Sequence, residues 1–372
     1  MKKVLFVATV TLHINTFHIP YLKLLKENGY EVHVASFGDE PIECCDKHYN
    51  IPFERFPLKP KNYKAYKELK KIINENNYEI IHCHTPVGGV LTRLAAKKAR
   101  KNGTRVIYTA HGFHFYKGSP LLNWLIYYPI EKYLAKYTDT LITINKEDYQ
   151  LAKNKFSERC KDIQYVPGVG IDTKKFDIQL TDKEKQELKE SIGLKKDDYI
   201  LTCVARLDKN KNQRFLIEVM EQLVKENNNI HLLLVGPDEL NGLFQKNVKK
   251  KHLENNVHFL GKREDIPQIL AITDIVVSAS LREGLPVNVM EAFAAGKPVV
   301  ALKCRGMEDL IENEKNGYIV PIEQFDEYIK KIVLLELNNN KCSSISKKNS
   351  EFIDRLSIEK IVLIYSKIYN IK

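Results

Sequence analysis

The stretch Ser280-Leu-Arg-Glu-Gly-Leu-Pro-Val-Asn-Val-Met-Glu-Ala-Phe-Ala-Ala-Gly-Lys-Pro-Val-Val300 decides how this chain is read. Two carboxylates, Glu283 and Glu291, stand eight residues apart in it. Between them Gly284 and Pro286 open a helix, because proline suits a first helical position, where its missing N–H would have no partner anyway. The amides of about residues 285 to 289 then face whatever lies ahead of the helix, and such an end attracts anions and hydroxyl oxygens. Glu283 precedes the helix, and Glu291 lies about a turn inside it, facing the same space. Gly296-Lys297-Pro298 ends the helix before the apolar run Val299-Val300-Ala301-Leu302. The glutamate spacing alone would suit an amphipathic helix with a solvated face. The apolar strand Asp274–Ser278 before it and the strand after it make the segment one step of an α/β sheet.

The rest of the chain repeats that step. In the first half, strands are expected at 3–10, 31–36, 79–84, 105–110 and 140–144, with helices at 17–28, 63–76, 87–102 and 120–137. In the second half, strands are expected at 199–205, 231–235, 257–260, 275–279 and 298–302. Such alternation implies parallel sheets covered on both faces. Tyr165-Val-Pro-Gly-Val-Gly-Ile-Asp172 reads as the linker between the halves, so the boundary falls near residue 170. The run from Asn338 to Lys347 reads as a polar loop, and 348–369 as helical.

Composition bounds the answer. The 372 residues suffice for two cores, and 44% hydrophobic with 28% charged residues describes a globular protein. No apolar run reaches the 18 residues of a membrane span. Met1–Ala8 lacks a cleavage site and reads as a first buried strand rather than a signal peptide. Seven cysteines, an odd number with no metal or redox spacing, read as reduced thiols of a cytoplasmic protein. The net charge of +11 is uneven. Residues 1–172 hold 26 Lys and Arg against 17 Asp and Glu, and residues 55–105 hold 13 against 3. A solvated helix face explains many such clusters, but the asymmetry points to an anionic partner for the first half.

The 280–300 segment resembles the Glu-x₇-Glu signature of retaining, nucleotide-sugar-dependent glycosyltransferases of the GT-B fold, family four. That resemblance implies two doubly wound Rossmann-like domains with a cleft between them. Residues 1–170 would bind the acceptor and 171–354 the nucleotide sugar, with a terminal helix at about 355–372 returning to the first domain. It implies a metal-free transfer with no cofactor beyond the nucleotide sugar as co-substrate. Arg206 and Lys211, in Val204-Ala-Arg-Leu-Asp-Lys-Asn-Lys-Asn-Gln213, resemble the pair that holds the donor diphosphate. Cations fixed there stabilise the charge that bond cleavage leaves on the diphosphate. Glu283 with Gly284, Leu285, Pro286 and Val287 would hold the donor sugar, and Glu291 the ribose hydroxyls. His111, in Thr109-Ala-His-Gly-Phe113, would contact the transferred sugar. His82 and His84 form a His-x-His pair without an evident third metal ligand, so a structural or cleft-lining role is expected.

One loop departs from the family. Ala8-Thr-Val-Thr-Leu-His-Ile-Asn-Thr16 carries no glycine pair, so close approach of its backbone to a phosphate is not expected. His13, Asn15 and His18 are assigned instead to the acceptor side. Residues 109–149 resemble enzymes of capsular and exopolysaccharide assembly, which implies a UDP-sugar donor and a glycan acceptor, free or carried on a polyprenyl diphosphate. It also implies a place on the inner face of the cell membrane, where the basic 55–105 region would meet anionic lipid. Nucleic acid is not expected as a partner. For the apolar run Leu121–Tyr133, core packing is the first expectation and membrane docking the second. A nucleotide-sugar epimerase of the same architecture would need no acceptor. A non-catalytic binder of anionic polymers or membranes would leave Arg206, Lys211, Glu283 and Glu291 dispensable.

Overall fold

The computed structural model describes residues 1–371. The chain divides into two compact units, Met1–Gly170 with Ile358–Lys372 and Ile171–Ser357. The first unit is built on seven strands: β1 (Lys2–Val10), β2 (Tyr30–Phe37), β3 (Lys47–Asn50), β4 (Ile80–His84), β5 (Arg105–Ala110), β6 (Thr140–Thr143) and β7 (Asp162–Tyr165). The second has six: β8 (Tyr199–Val204), β9 (Ile230–Val235), β10 (Val257–Gly261), β11 (Ile275–Ser278), β12 (Val299–Leu302) and β13 (Tyr318–Val320). All pairings are parallel, in the orders β3-β2-β1-β4-β5-β6-β7 and β10-β9-β8-β11-β12-β13.

Alternation along each strand explains the two-faced burial. In β1, Val4 and Phe6 join one apolar cluster while Leu5 and Val7 join another on the opposite face. In the second unit, Leu201 and Cys203 of β8 face one cluster and Ile200 the other. Strands covered on both sides are buried nearly throughout, as β1, β4 and β9 are, although β4 buries His82 and His84 among its apolar residues.

The last helix, Ile358–Tyr369, belongs to the core of the first unit. Its Ile361, Tyr365 and Tyr369 are buried with Val4, Phe6 and Tyr21. Tyr369 Oη lies 2.7 Å from His82 Nδ1, and Arg105 donates to the carbonyl of Ile368 at 2.5 Å. A buried fork joins Arg93 to Glu131 at 2.8 and 3.1 Å. The same guanidinium stacks 3.9 Å from the Tyr108 ring. Together these tie helix Pro86–Ala95 to helix Leu121–Leu134.

Several expectations are corrected. The segment after β1 is not a loop but helix Thr11–Phe17, because Thr11 and Ile14, one turn apart, are both fully buried. The run from Asn338 is helix Asn339–Ile353; Asn338 caps it by accepting from Lys341 N, and Ile345, Asn349 and Ile353 bury at four-residue spacing. Pro286 sits at the cap rather than inside the first turn, with an extended backbone before helix Val287–Ala294. The expected helix at 87–102 breaks into Pro86–Ala95 and Lys97–Lys101. Strands β3, β7 and β13, which sequence reasoning missed, are edge or near-edge strands of three or four residues.

Candidate active site

Ligands of open parallel sheets sit beyond the carboxyl ends of the strands where the strand order reverses. Reversal occurs between β1 and β4 in the first sheet and between β8 and β11 in the second. The sequence-selected residues gather at these two places.

In the second unit the loops after β8 and β11 are stitched together. Leu281 N donates to the carbonyl of Asn210 at 2.8 Å, and Asn210 Nδ2 donates to the carbonyl of Arg282 at 3.0 Å. Asp208 accepts from Lys211 N at 2.7 Å, which turns the loop back on itself. Lys211 Nζ then reaches Glu283 Oε1 at 2.6 Å. Both side chains are mostly removed from solvent, at 18% and 12% exposure, so their attraction is weakly screened. Arg206 is placed differently. Its half-exposed guanidinium rests on Glu239 at 2.7 Å and Asp208 at 3.4 Å, two carboxylates from the loops after β9 and β8.

Gly284 and Val287 are half-buried, and Leu285 and Pro286 are buried, at the start of helix Val287–Ala294. The amides of this first turn lack intrahelical acceptors by construction. Glu291 lies further along the helix. Burial pushes its carboxyl up to about 7, opposed by the charge of Lys175 on helix Thr173–Phe176. The two glutamates therefore differ: Glu283 has a fixed cation within hydrogen-bond reach, whereas Glu291 is chiefly desolvated.

Four residues here escaped sequence reasoning. Arg305 Nε donates to the carbonyl of Glu283 at 3.1 Å. A Cβ at Gly306 would lie 2.7 Å from the carbonyl oxygen of Gly284, so residues 305 and 306 set the path of the Glu283–Gly284 backbone. Gln213 is fully buried and donates to the carbonyl of Arg206 at 2.7 Å, but its Oε1 has no protein partner among the described residues. Asn288 Nδ2 is likewise buried and unpartnered there. Unpaired buried polar groups are uncommon in native proteins, and a bound ligand is one way to satisfy them. No motif marks Gln213 or Asn288; both lie on helices whose apolar pattern reads as core.

In the first unit the reversal point holds histidines. His13 comes from helix Thr11–Phe17, His18 from the junction with helix Ile19–Glu27, His84 from the end of β4, and His111 from the turn after β5. His13 Nε2 and His18 Nε2 are 3.2 Å apart, and His84 Nδ1 and His111 Nε2 are 3.3 Å apart. Burial holds all four below the usual histidine range, His13 at about 4. They are neutral at pH 7.

His82 does not join them; both its nitrogens are engaged, by Tyr369 Oη and by Thr109 Oγ1 at 2.8 Å. His82 takes the structural role expected for His-x-His, while His84 lies at the reversal point among His13, His18 and His111. Asn15 also stands outside the cluster, its amide donating to the carbonyl of Pro41 at 3.0 Å.

A family model described as "Glycosyl transferases group 1" matches residues 184–352, and one described as "Glycosyl transferase 4-like" matches residues 3–145. A protein of Bacillus subtilis (strain 168) named "Putative glycosyltransferase EpsD" is 40% identical over 369 residues, covering 98% of this chain and 96% of its own length. This chain belongs to the group 1 glycosyltransferase family. A second relative of this glycosyltransferase, from Escherichia coli, is the "UDP-Gal:alpha-D-GlcNAc-diphosphoundecaprenol alpha-1,3-galactosyltransferase". It is 32% identical, with 78% of this chain and 74% of its own length aligned. Among solved structures, Anabaena HepE in complex with UDP and glucose superposes with a TM-score of 0.79 at 19% identity over all of both chains. That likeness establishes the GT-B architecture of two Rossmann-like domains. Among the described residues of the enzyme, no helix is long and apolar enough to cross a membrane.

Proposed function

We propose that the enzyme transfers a sugar from a UDP-sugar, with retention of anomeric configuration, to a polyprenyl-diphosphate-linked saccharide during assembly of an exopolysaccharide or capsule. The observation that carries this reading is the Lys211–Glu283 pair, which fixes a cation at the reversal point of the second sheet, ahead of helix Val287–Ala294. The names of the relatives support the substrate class: UDP-Gal and a diphosphoundecaprenol acceptor for the Escherichia coli enzyme, and a UDP complex for HepE.

In this reading Lys211 and Arg206 hold the diphosphate. When the bond from the sugar C1 to the phosphate oxygen breaks, its electron pair stays with the diphosphate, and fixed cations lower the energy of that charge without a metal. The freed phosphate oxygen takes the proton of the acceptor hydroxyl, which attacks C1 from the same face. Glu283 and the amides from Gly284 to Val287 orient the sugar, Glu291 accepts from the ribose hydroxyls, and His111 contacts the transferred sugar. No cofactor is required.

The reading also places the enzyme on the inner face of the membrane. Helix Leu121–Leu134 leaves Leu121, Leu122 and Leu125 at 74%, 62% and 66% exposure. Its inner side, through Trp124, Tyr127 and Tyr128, packs on the core, so the core expectation holds for only one face. Lys97 and Lys136 lie over the Tyr133 and Tyr137 rings at its far end. An apolar ridge beside lysines suits an anionic bilayer surface.

A thermal-shift screen with UDP-, GDP- and ADP-sugars, followed by UDP-release assays, tests the proposal. Stabilisation by a UDP-sugar that Lys211→Ala abolishes is expected. Stabilisation by another nucleotide class, or none by any, refutes the donor assignment. Glu283→Gln should lower turnover strongly while UDP affinity is nearly kept; equal loss of both refutes its role.

A further inference from the structure

We infer that His13, His18, His84 and His111 form a binding site for one borderline divalent transition-metal cation of the zinc class. One ring nitrogen from each lies within 4.8 Å of the others. Zinc binds imidazole nitrogen at about 2.0–2.1 Å, so two nitrogens on one tetrahedral ion stand about 3.3–3.4 Å apart. The contacts His13–His18 at 3.2 Å and His84–His111 at 3.3 Å are already close to that spacing. The cluster is drawn together by the fold: His13 lies in a short helix and His18 caps its end, while His84 ends β4 and His111 follows the neighbouring β5.

Two further observations point to a ligand. His18 Nδ1 and His84 Nε2 are buried, and neither has a hydrogen-bond partner among the described residues. Their rings lie 3.8 Å apart, centroid to centroid. These are the ring nitrogens opposite the two close contacts, so the protein leaves both buried imidazoles only partly hydrogen-bonded.

The surroundings restrict movement. His82, pinned by Tyr369 and Thr109, lies tilted 4.1 Å from His84, centroid to centroid, and Phe6 stacks on the same ring at 5.7 Å. Rigid imidazoles at preset spacing favour an ion over a flexible hydrogen-bonded network.

Donor chemistry selects the cation. The group contains no carboxylate or thiolate, and four imidazoles suit zinc, nickel, cobalt or copper rather than the oxygen-seeking calcium and magnesium. Four neutral ligands leave the ion its full double charge. His111 has two ring nitrogens, so one on the ion leaves the other for the sugar contact proposed above. The metal site does not rest on the proposed transfer reaction.

The test uses the full chain, stripped with a chelator and titrated with Co²⁺ and then Zn²⁺. We expect one equivalent of Co²⁺ with the visible absorption of tetrahedral nitrogen coordination, displaced by Zn²⁺, and a higher melting temperature with Zn²⁺. His18→Gln and His84→Gln should each weaken binding at least about tenfold, since changes even to residues behind metal ligands cost 10–100-fold. His258→Gln, in the second unit, should bind as the parent does. If the buried variants do not fold, His13→Gln replaces them. Absence of saturable binding by the folded parent, or binding undiminished in the folded histidine variants, overturns the site and leaves a set of neutral, mutually hydrogen-bonded histidines.

Discussion

Replacing Glu291 by Gln should change how the enzyme's stability depends on pH. Burial raises the Glu291 carboxyl to about 7 from the ordinary 4.5, with Lys175 opposing. That gap corresponds to roughly 3 kcal/mol of preference for the neutral form in the folded state. The sign follows from proton counting. Between pH 4.5 and about 7 the folded protein holds a proton at this site that the unfolded chain has released, so stability falls as pH rises through that window. Glutamine keeps the shape and cannot ionise. The variant should therefore match the parent near pH 4.5 and exceed it by up to roughly 3 kcal/mol at pH 8.

Urea denaturation at pH 5 and pH 8, at one ionic strength, measures this. Circular dichroism is the right signal, because the only tryptophan, Trp124, lies in the first unit and would report on that unit rather than on helix Val287–Ala294. An advantage of the same size at both pH values, or a parent more stable at pH 8, would refute the reasoning. The variant should also lose the rise in UDP affinity from pH 6 to pH 8 that an ionising Glu291 would give the parent.

Lys211→Met should destabilise the second unit by about 3–5 kcal/mol, because Glu283 is left buried and unpaired. Adding Glu283→Gln should recover part of that loss, and urea melts of the two singles and the double measure the coupling. Gly306→Ala places a methyl 2.7 Å from the Gly284 carbonyl, so the Glu283–Gly284 backbone must shift. Its kcat/KM should fall about tenfold or more, with UDP affinity less affected. Leu122→Asp with Leu125→Asp should leave stability within about 0.5 kcal/mol, since both side chains are exposed. The same pair should abolish co-sedimentation with anionic vesicles; unchanged sedimentation would remove the helix from the membrane proposal. Tyr369→Phe should cost about 1 kcal/mol by removing the hydroxyl from His82 Nδ1, read as a drop in the melting of the first unit.

The sequence by itself determined the alternation of strands and helices, because continuous apolar runs bounded by glycine, proline and polar residues carry that signal locally. It also marked Arg206, Lys211, Glu283, Glu291 and His111, through segments that resemble the motifs of a known family. It misread helix Thr11–Phe17 and the part of helix Asn339–Ile353 before residue 348, whose composition is not helical. Those segments are helical because Ile14 and Ile345 find apolar partners far away in the chain. Only the tertiary structure could pair Lys211 with Glu283 across 72 residues and leave Glu291 desolvated beside Lys175. It alone joined His84 to His13, His18 and His111 while committing His82 to Tyr369, 287 residues distant. The physical reason is common to all of these. Local pattern reports what a residue prefers to be beside, whereas which carboxylate meets which cation, and which imidazole meets another, depends on the strand order, and parallel pairing brings together chain ends that no local signal connects.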